Sequence, residues 1–523
     1  MNVLLIALLA LPLLGAGLTL APLGERAVLR LGCGVTGAVL AGTIALAAWF
    51  DHATPARMQA VTDVSWIPAI GVRFHLGVDG ISLPLLVLTA LLTFLCAVYS
   101  TRKLPAGPGA RAFTGLLLLL EVGMLATFVA LDLVLFFLAF EIVLIPMYFL
   151  IARWGSGAKV PAANRFILYT LLGSAVMLLG FLLIGGQAGT FDLTQLAAAH
   201  GRGLSHTTQV TAALAILVGL AVKAPAFPLH SWLPDAHTAA PTVGSVLLAG
   251  VLLKMGTYGL VRVLLPVVPD GTATLAPYLG ALAAVGIVYG SLACLALALP
   301  SPTATLLRKR FAPSESGAKG DLKRLIAYSS VGHMGFVLLG IASLTPSGVN
   351  GALFANIGHG LITGLLFFLV GAVKDRYGTA DLDTLAGATG AALYGRAPRI
   401  GGLLAFAAVA SLGLPGLAGF WGELLAMYGA FDPAAALSRP AFLTYLALAA
   451  LGTLLTAGYL LLVVKRVCMG DPKQPGLSDV PDLQAYEAVS WTPLAALTVV
   501  AGLWPALLLG LSDPAVKHLL GGG

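Results

Sequence analysis

The sequence predicts an all-α integral membrane protein of about fourteen transmembrane helices, with two inverted five-helix repeats and breaks in helices seven and twelve. Three observations carry that expectation. Only 10% of the 523 residues are charged and 59% are hydrophobic, with a mean hydropathy of +0.96. A soluble domain carries roughly 25% charged residues and needs them to cover its surface. Apolar runs of about 20 residues recur along almost the whole chain, long enough for helices that satisfy their own backbone in hydrocarbon. They far exceed the roughly 10-residue alternating strands of a membrane barrel. The cations, finally, are unevenly shared between alternate loops.

The expected helices lie near 3–21, 31–50, 81–100, 113–130, 133–151, 165–185, 208–228, 243–266, 276–298, 322–343, 349–373, 400–428, 441–466 and 488–511. The first has no positive segment before it, and Arg26 and Arg30 follow it. That order reads as an uncleaved helix entering from outside rather than a signal peptide. With the N-terminus outside, 21 of the 29 Lys and Arg residues fall on inside loops and helix ends and 6 on outside segments. Such a bias places basic loops in the cytoplasm and both termini outside.

Helix seven runs into Lys223-Ala-Pro-Ala-Phe-Pro228, and helix twelve contains Gly413-Leu-Pro-Gly-Leu-Ala-Gly419. Proline and glycine free backbone groups, which is tolerated in a membrane where they line a polar cavity. Paired breaks in two halves of a transporter point to its working site. An odd offset of five helices inverts one half relative to the other. The organisation expected is therefore 1–112 (three helices), 113–266 (first repeat), 276–466 (second repeat, with a cytoplasmic insertion at 300–320) and 467–523 (last helix).

An ionised side chain at the bilayer centre costs about 2.5–3.5 kcal/mol, so each one needs a reason. Glu141 sits in an apolar run, Lys223 stands two residues before the first proline of its break, Lys254 is mid-helix, and Glu423 follows the second break. A working ion pair is the expectation for Glu141, against a carboxyl merely kept protonated by burial. A snorkelling helix-end role is the plainer alternative for Lys223, and a static ion pair for Lys254. His333 and His359 fall in helices ten and eleven, where imidazole passes protons near neutral pH. His230 and His237 follow Lys223 at steps of seven, close to two helical turns, although Pro225, Pro228 and Pro234 interrupt that face. Glu121 is a further buried candidate, whereas Asp132 reads as structural at the outer interface.

Other chemistry is not supported. The chain has no P-loop, no GxGxxG between strand and helix, no nucleophile elbow and no HExxH. Cys33, Cys96, Cys294 and Cys468 are scattered and read as small hydrophobes. The net charge of +7 reflects cytoplasmic loops and is no nucleic-acid signal. The run Arg308-Lys309-Arg310 reads as a solvated inside loop.

Four stretches are similar to one family. They are FFLAFEIVLIPMYFLIARW (136–154), KAPAFPLHSWLPDAHTAAPTVGSVLLAGVLLKMGTYGLVR (223–262), DLKRLIAYSSVGHMGFVLLG (321–340) and GLPGLAGFWGELL (413–425). They resemble the antiporter-like, proton-pumping membrane subunits of respiratory NADH–quinone oxidoreductase, complex I. The resemblance covers nearly the whole chain. It matches Glu141 to the helix-five glutamate, Lys223 to the broken-helix lysine, Lys254 to the central lysine, His333 and His359 to linking histidines, and Glu423 to the terminal carboxylate. The sister subunits usually carry lysine at that last place, and the larger sister has a long lateral helix after its core. Both points favour the M type. The segment 300–320 departs from the family, which passes almost directly from helix nine to the DLKRLIAYSS motif. It is expected to be a mobile or partner-held loop that a short link could replace.

The resemblance implies proton translocation coupled to quinone reduction elsewhere. It implies no cofactor in this chain, with FMN, iron–sulfur clusters and quinone in partner subunits. The partners implied are the other membrane subunits of complex I, especially the two sister antiporter-like subunits, and the lipid bilayer of a bacterial inner membrane. The alternatives are a subunit of a multi-subunit cation/proton antiporter or membrane-bound hydrogenase, which would share the buried Lys/Glu set, and a membrane scaffold, which would not need it.

Overall fold

The computed structural model describes residues 2–301, 304–313, 320–386, 390–470 and 480–521, and helix dominates them. The helices of eight residues or more are α1 (Asn2–Leu18), α2 (Glu25–Trp49), α3 (Ser82–Ser100), α4 (Ala110–Val129), α5 (Leu133–Trp154), α6 (Lys159–Ala188), α7 (His206–Lys223), α8 (Trp232–Ala239), α9 (Thr242–Val267), α10 (Pro269–Ala298), α11 (Leu322–Ala342), α12 (Pro346–Tyr377), α13 (Pro398–Ser411), α14 (Ala418–Phe431), α15 (Arg439–Cys468), α16 (Ala485–Leu503) and α17 (Ala506–Leu519). Among the described residues, 11 helices are long and apolar enough to cross a membrane, or 12 if the bent pair α16–α17 is one span. The chain is an integral membrane protein on that composition. α1 and α13 are apolar but shorter. Helices α9, α11 and α12 are buried along almost their whole length and form the centre of the bundle.

Both expected breaks are present. α7 stops at Lys223, and the chain resumes helix only at Trp232. Pro225 and Pro228 cannot donate to a helical ladder, and the Trp232 indole donates to the Val222 carbonyl at 3.0 Å instead. The expected helix over 400–428 is likewise two helices, α13 and α14. Between them Gly413 and Gly416 adopt φ of +80° and +92°, a region that costs any residue with a Cβ.

A two-stranded antiparallel hairpin, β1 (Gln59–Ile67) and β2 (Val72–Val78), was not legible in the sequence and departs from the all-α expectation. Gly71, at φ +71°, closes its turn. The hairpin is tied to one end of the bundle by Leu131 N–H to the His75 carbonyl at 2.9 Å and by His75 Nδ1 to Asp192 Oδ2 at 2.7 Å. Burial works against the Asp192 charge, but bonds from His75, Thr194 and the Gln195 backbone outweigh it and hold the carboxyl down to about 2. That contribution is full above the ordinary carboxylate range and is lost as pH falls towards 2.

The opposite end carries most of the cations. Each end has an isolated antiparallel bridge between two aspartates, Asp132 with Asp192 at the hairpin end and Asp321 with Asp381 at the basic end. All four aspartates cap helices: Asp132 accepts from Val134 and Leu135 N–H, Asp192 from Thr194 and Gln195, Asp321 from Arg324, and Asp381 from Thr384. A cap of this kind is worth about 1 kcal/mol. Asp132 is thus structural, as expected.

The expectation of a solvated Arg308 is not met. Residues Thr305–Phe311 form a helix, and the Arg308 side chain is 0% exposed. It donates to the carbonyls of Ala296 at 3.1 Å and Leu299 at 2.6 Å, to Ser301 Oγ at 2.9 Å and to Asp383 Oδ2 at 2.8 Å. Arg466 donates to Asp383 Oδ1 at 2.7 Å and to the Ala298 carbonyl at 2.7 Å. The physical reason is the end of α10, whose last carbonyls have no intrahelical donor. A guanidinium with five N–H groups satisfies several at once. Burial opposes the Asp383 charge, but bonds from Arg308, Arg466 and Ser301 hold its carboxyl well below the usual range. Lys309 and Arg310 are exposed. The rest of the expectation for the insertion, at 302–303 and 314–319, lies outside the described residues.

Arg308→Ala should therefore destabilise the basic end by about 3–5 kcal/mol, the cost of breaking a buried ion pair. Thermal melting of the solubilised protein checks this, with Lys309→Ala as a neutral control. Replacing 302–318 by a short link should carry the same penalty, because it removes Arg308.

Candidate functional site

The six principal candidates come from six helices. Lys254 lies in the middle of α9, fully buried. On either side of it, Leu248–Leu252 and Leu260–Leu264 are π turns, which shift backbone bonds and are frequent at functional sites. The Lys254 ammonium donates to the Ala249 carbonyl, five residues back. It also meets His359 Nδ1 of α12 at 2.6 Å. The His359 and His333 rings stand 5.6 Å apart between centroids, edge to face. His333 of α11 then faces Glu423 Oε1 of α14 at 3.2 Å through Nδ1, and Ser411 Oγ at 3.0 Å through Nε2. A cavity of about 20 Å³ lies among His333, His359, Ser411 and Glu423, enough for about one water. Lys254, His359, His333 and Glu423 thus line up across four helices, hydrogen-bonded at each end and joined in the middle by the edge-to-face contact of the two imidazoles, where His359 Nε2 has no hydrogen-bond partner among the described residues.

Lys223 and Glu141 stand next to one another at the other side. Lys223 is 1% exposed, and its ammonium sits 4.5 Å over the Phe140 ring. Lys223 and the Ser174 hydroxyl are the polar groups facing the Glu141 carboxyl. No ion pair closes between them: among the described residues neither Lys223 Nζ nor Glu141 Oε1 has a hydrogen-bond partner. The helices that carry the two lysines are in backbone contact. A Cβ on Gly256 would lie 2.8 Å from both the Ala224 nitrogen and the Leu220 carbonyl oxygen. Only glycine permits that approach.

The remaining candidates are not joined to this line by hydrogen bonds. Both Glu121 carboxyl oxygens are buried and unpartnered among the described residues. His230, expected on one face with Lys223, instead stacks on Phe227 at 5.6 Å and meets the Tyr289 ring edge to face at 5.0 Å. The break between α7 and α8 is what turns it away. His237 stacks on Phe367 at 4.5 Å with both ring nitrogens unpartnered, and its charged neighbours are Lys323 and Lys254.

Several polar partners were missed. Ser411 ends α13, next to the break, and that position was its only signal. Asn356, one helical turn before His359, accepts from Thr257 at 3.0 Å. Lys323 reads in the sequence only as one of the cations of inside loops and helix ends, yet it is 3% exposed and donates to the Ala240 carbonyl.

Ionisable side chains buried in membrane-spanning helices and lined up from one helix to the next are the chemistry of ion and proton translocation. Fold and site together define a multi-span translocating membrane protein. The chain belongs to the NADH:quinone oxidoreductase/Mrp antiporter transmembrane family, whose model matches residues 130–298 and 314–448. It is 38% identical over 489 residues to NADH-quinone oxidoreductase subunit M of Rhodobacter capsulatus, covering 91% of this chain and 87% of that one. It is similar to a chain of respiratory complex I from Thermus thermophilus, with TM-score 0.83, 29% identity, and coverage of 99% of this chain and 100% of that one. A chain of the Mrp complex from a Dietzia species shares the fold, with TM-score 0.81, 24% identity, and coverage of 99% and 98%.

His333→Ala should interrupt the line between His359 and Glu423. We expect translocation to fall by about 100-fold, the low end of what a positioned proton-transfer group contributes. Ser411→Ala removes one hydroxyl and should have a clearly smaller effect. Both are read as proton flux per assembled complex in proteoliposomes.

Proposed function

We infer that this chain is a proton-translocating membrane subunit of an NADH–quinone oxidoreductase, of the M type. The observation that carries the reading is the line from Lys254 through His359 and His333 to Glu423. The identity to a subunit M over most of both chains supports the complex I assignment over a cation antiporter, for which the likeness is one of fold.

The mechanism follows from the charges. A nearby carboxylate favours the charged lysine. Moving Glu141 away from Lys223 releases the Lys223 proton towards Lys254, and moving it back reloads the site. Lys254 faces an imidazole and a carbonyl rather than a carboxylate, so no anion traps its proton. His359 and His333 hand the proton to Glu423, with room for a water between them. Carrying one charge against 100 mV costs about 2.3 kcal/mol. That energy comes from electron transfer through FMN, iron–sulfur clusters and quinone in partner subunits. The sister antiporter-like subunits are the neighbours on this reading.

The basic end faces the cytoplasm and both termini lie outside. α1 and the joined pair α13–α14 bring the crossings to fourteen. The matched aspartate bridges at opposite ends, each spanning sixty residues of chain, support two inverted repeats within 113–266 and 276–466.

Lys223→Ala should strongly reduce NADH-driven proton pumping while the complex still assembles. Glu141→Gln should act alike, and Glu141→Asp should be milder because the charge is kept. Normal pumping by a correctly assembled Lys223→Ala complex would sink the proposal. Orientation is tested at Leu306, which is 79% exposed. A cysteine there should react only with reagent on the cytoplasmic side of sealed vesicles, and outside labelling reverses the proton path.

A further inference from the structure

An apolar groove of about 790 Å³ opens at the basic end, on the outer face of the bundle. α1 and α5 both pack on α4 and leave α4 as its floor. Ala112, Leu116 and Leu119 of α4 line that floor, at spacings that put them on one helical face. Leu13 of α1, Leu20 just beyond its end and Phe149 of α5 line the walls. These wall residues are 52%, 86% and 37% exposed.

The basic end of the groove is built differently. Arg111 and Arg153 line it there, and both are exposed. Arg111 spends only its Nε, on the Leu23 carbonyl at 2.9 Å. Neither guanidinium forms an ion pair among the described residues. The nearby Glu25 carboxylate lies against Gly109 and does not close one. Trp154 lines the same end, 4% exposed, with its indole N–H buried and unpartnered among the described residues.

We propose that this groove holds one anionic phospholipid of the leaflet at the basic end. The phosphate sits on the Arg111 and Arg153 guanidiniums, whose planar donors match phosphate oxygens. Trp154 marks the headgroup level, where its ring is at home. One acyl chain runs along the α4 floor. Leu119 lies about 12 Å along the helix from Arg111, at 1.5 Å per residue, so the apolar floor begins where the charge ends. An inorganic anion would use only the mouth of such a site, and a zwitterionic lipid would leave the two cations half answered. The inference stands on the groove and does not depend on the proton path.

The test uses the assembled complex in lipid nanodiscs containing a photoreactive phosphatidylglycerol or phosphatidylcholine, each with a diazirine on the acyl chain. Labelled peptides are mapped by mass spectrometry. The phosphatidylglycerol probe should mark the groove residues of α1, α4 and α5 in preference to phosphatidylcholine. Arg111→Gln with Arg153→Gln should lower that labelling about tenfold, the factor for about 1.4 kcal/mol of lost charge-assisted bonding. Leu116→Trp, which fills the floor, should lower labelling by both probes. Labelling at Leu172 of α6, 71% exposed, should not change and reports that the variants are folded. Equal labelling by the two headgroups, or no loss in the arginine variant, overturns the proposal. So does a groove unlabelled in the wild-type complex, because a neighbouring subunit then covers it.

Discussion

A cation buried in hydrocarbon must find its partners inside the protein, and Lys254 is where this bundle meets that requirement. The side chain is fully buried. The ammonium is answered by the Ala249 carbonyl and the His359 ring. A carboxylate in that place would bind the proton more tightly and hold it. Neutral acceptors satisfy the ammonium without fixing it, and imidazole has a second nitrogen through which a proton can leave. The acids are kept to the flanks, Glu423 beyond His333 and Glu141 beside Lys223.

The rest of the fold serves that arrangement. The π turns around Lys254 leave a carbonyl within reach of its ammonium. Gly256 lets α9 approach the end of α7, so that the two lysine-bearing helices touch. The breaks after Lys223 and Ser411 place polar backbone and a hydroxyl beside the ionisable groups rather than against lipid. At the two ends the Asp132–Asp192 and Asp321–Asp381 bridges fasten helix caps together. At the basic end Arg308 and Arg466 share Asp383 and close the last turn of α10. A rigid frame with mobile protons needs such fixed ends, because a shift of about 1 Å is enough to lose a hydrogen bond.

Much of this was legible in the sequence, since hydrophobic run length and buried charge are strong local signals. Every expected helix has a helical counterpart, and both breaks lie where proline and glycine put them. The six principal candidates are all buried or half-buried, and four of them form the line. What escaped depends on long-range contact. The hairpin at 59–78 has short strands held by His75 and Asp192, more than a hundred residues apart. His230 leaves the Lys223 face because the break rotates the chain, which a step of seven cannot reveal. Arg308 and Lys323 look like ordinary loop cations, and only the helix ends folded over them make them internal. The π turns have no marker in the local sequence that we can identify.

The central claim is that protons cross through the buried line centred on Lys254. The most direct measurement is proton flux driven by NADH in proteoliposomes containing the Lys254→Ala complex, set against its content of assembled complex. The account predicts that flux falls to a small fraction of the wild-type value while assembly is retained. Wild-type flux from fully assembled Lys254→Ala complex would contradict it.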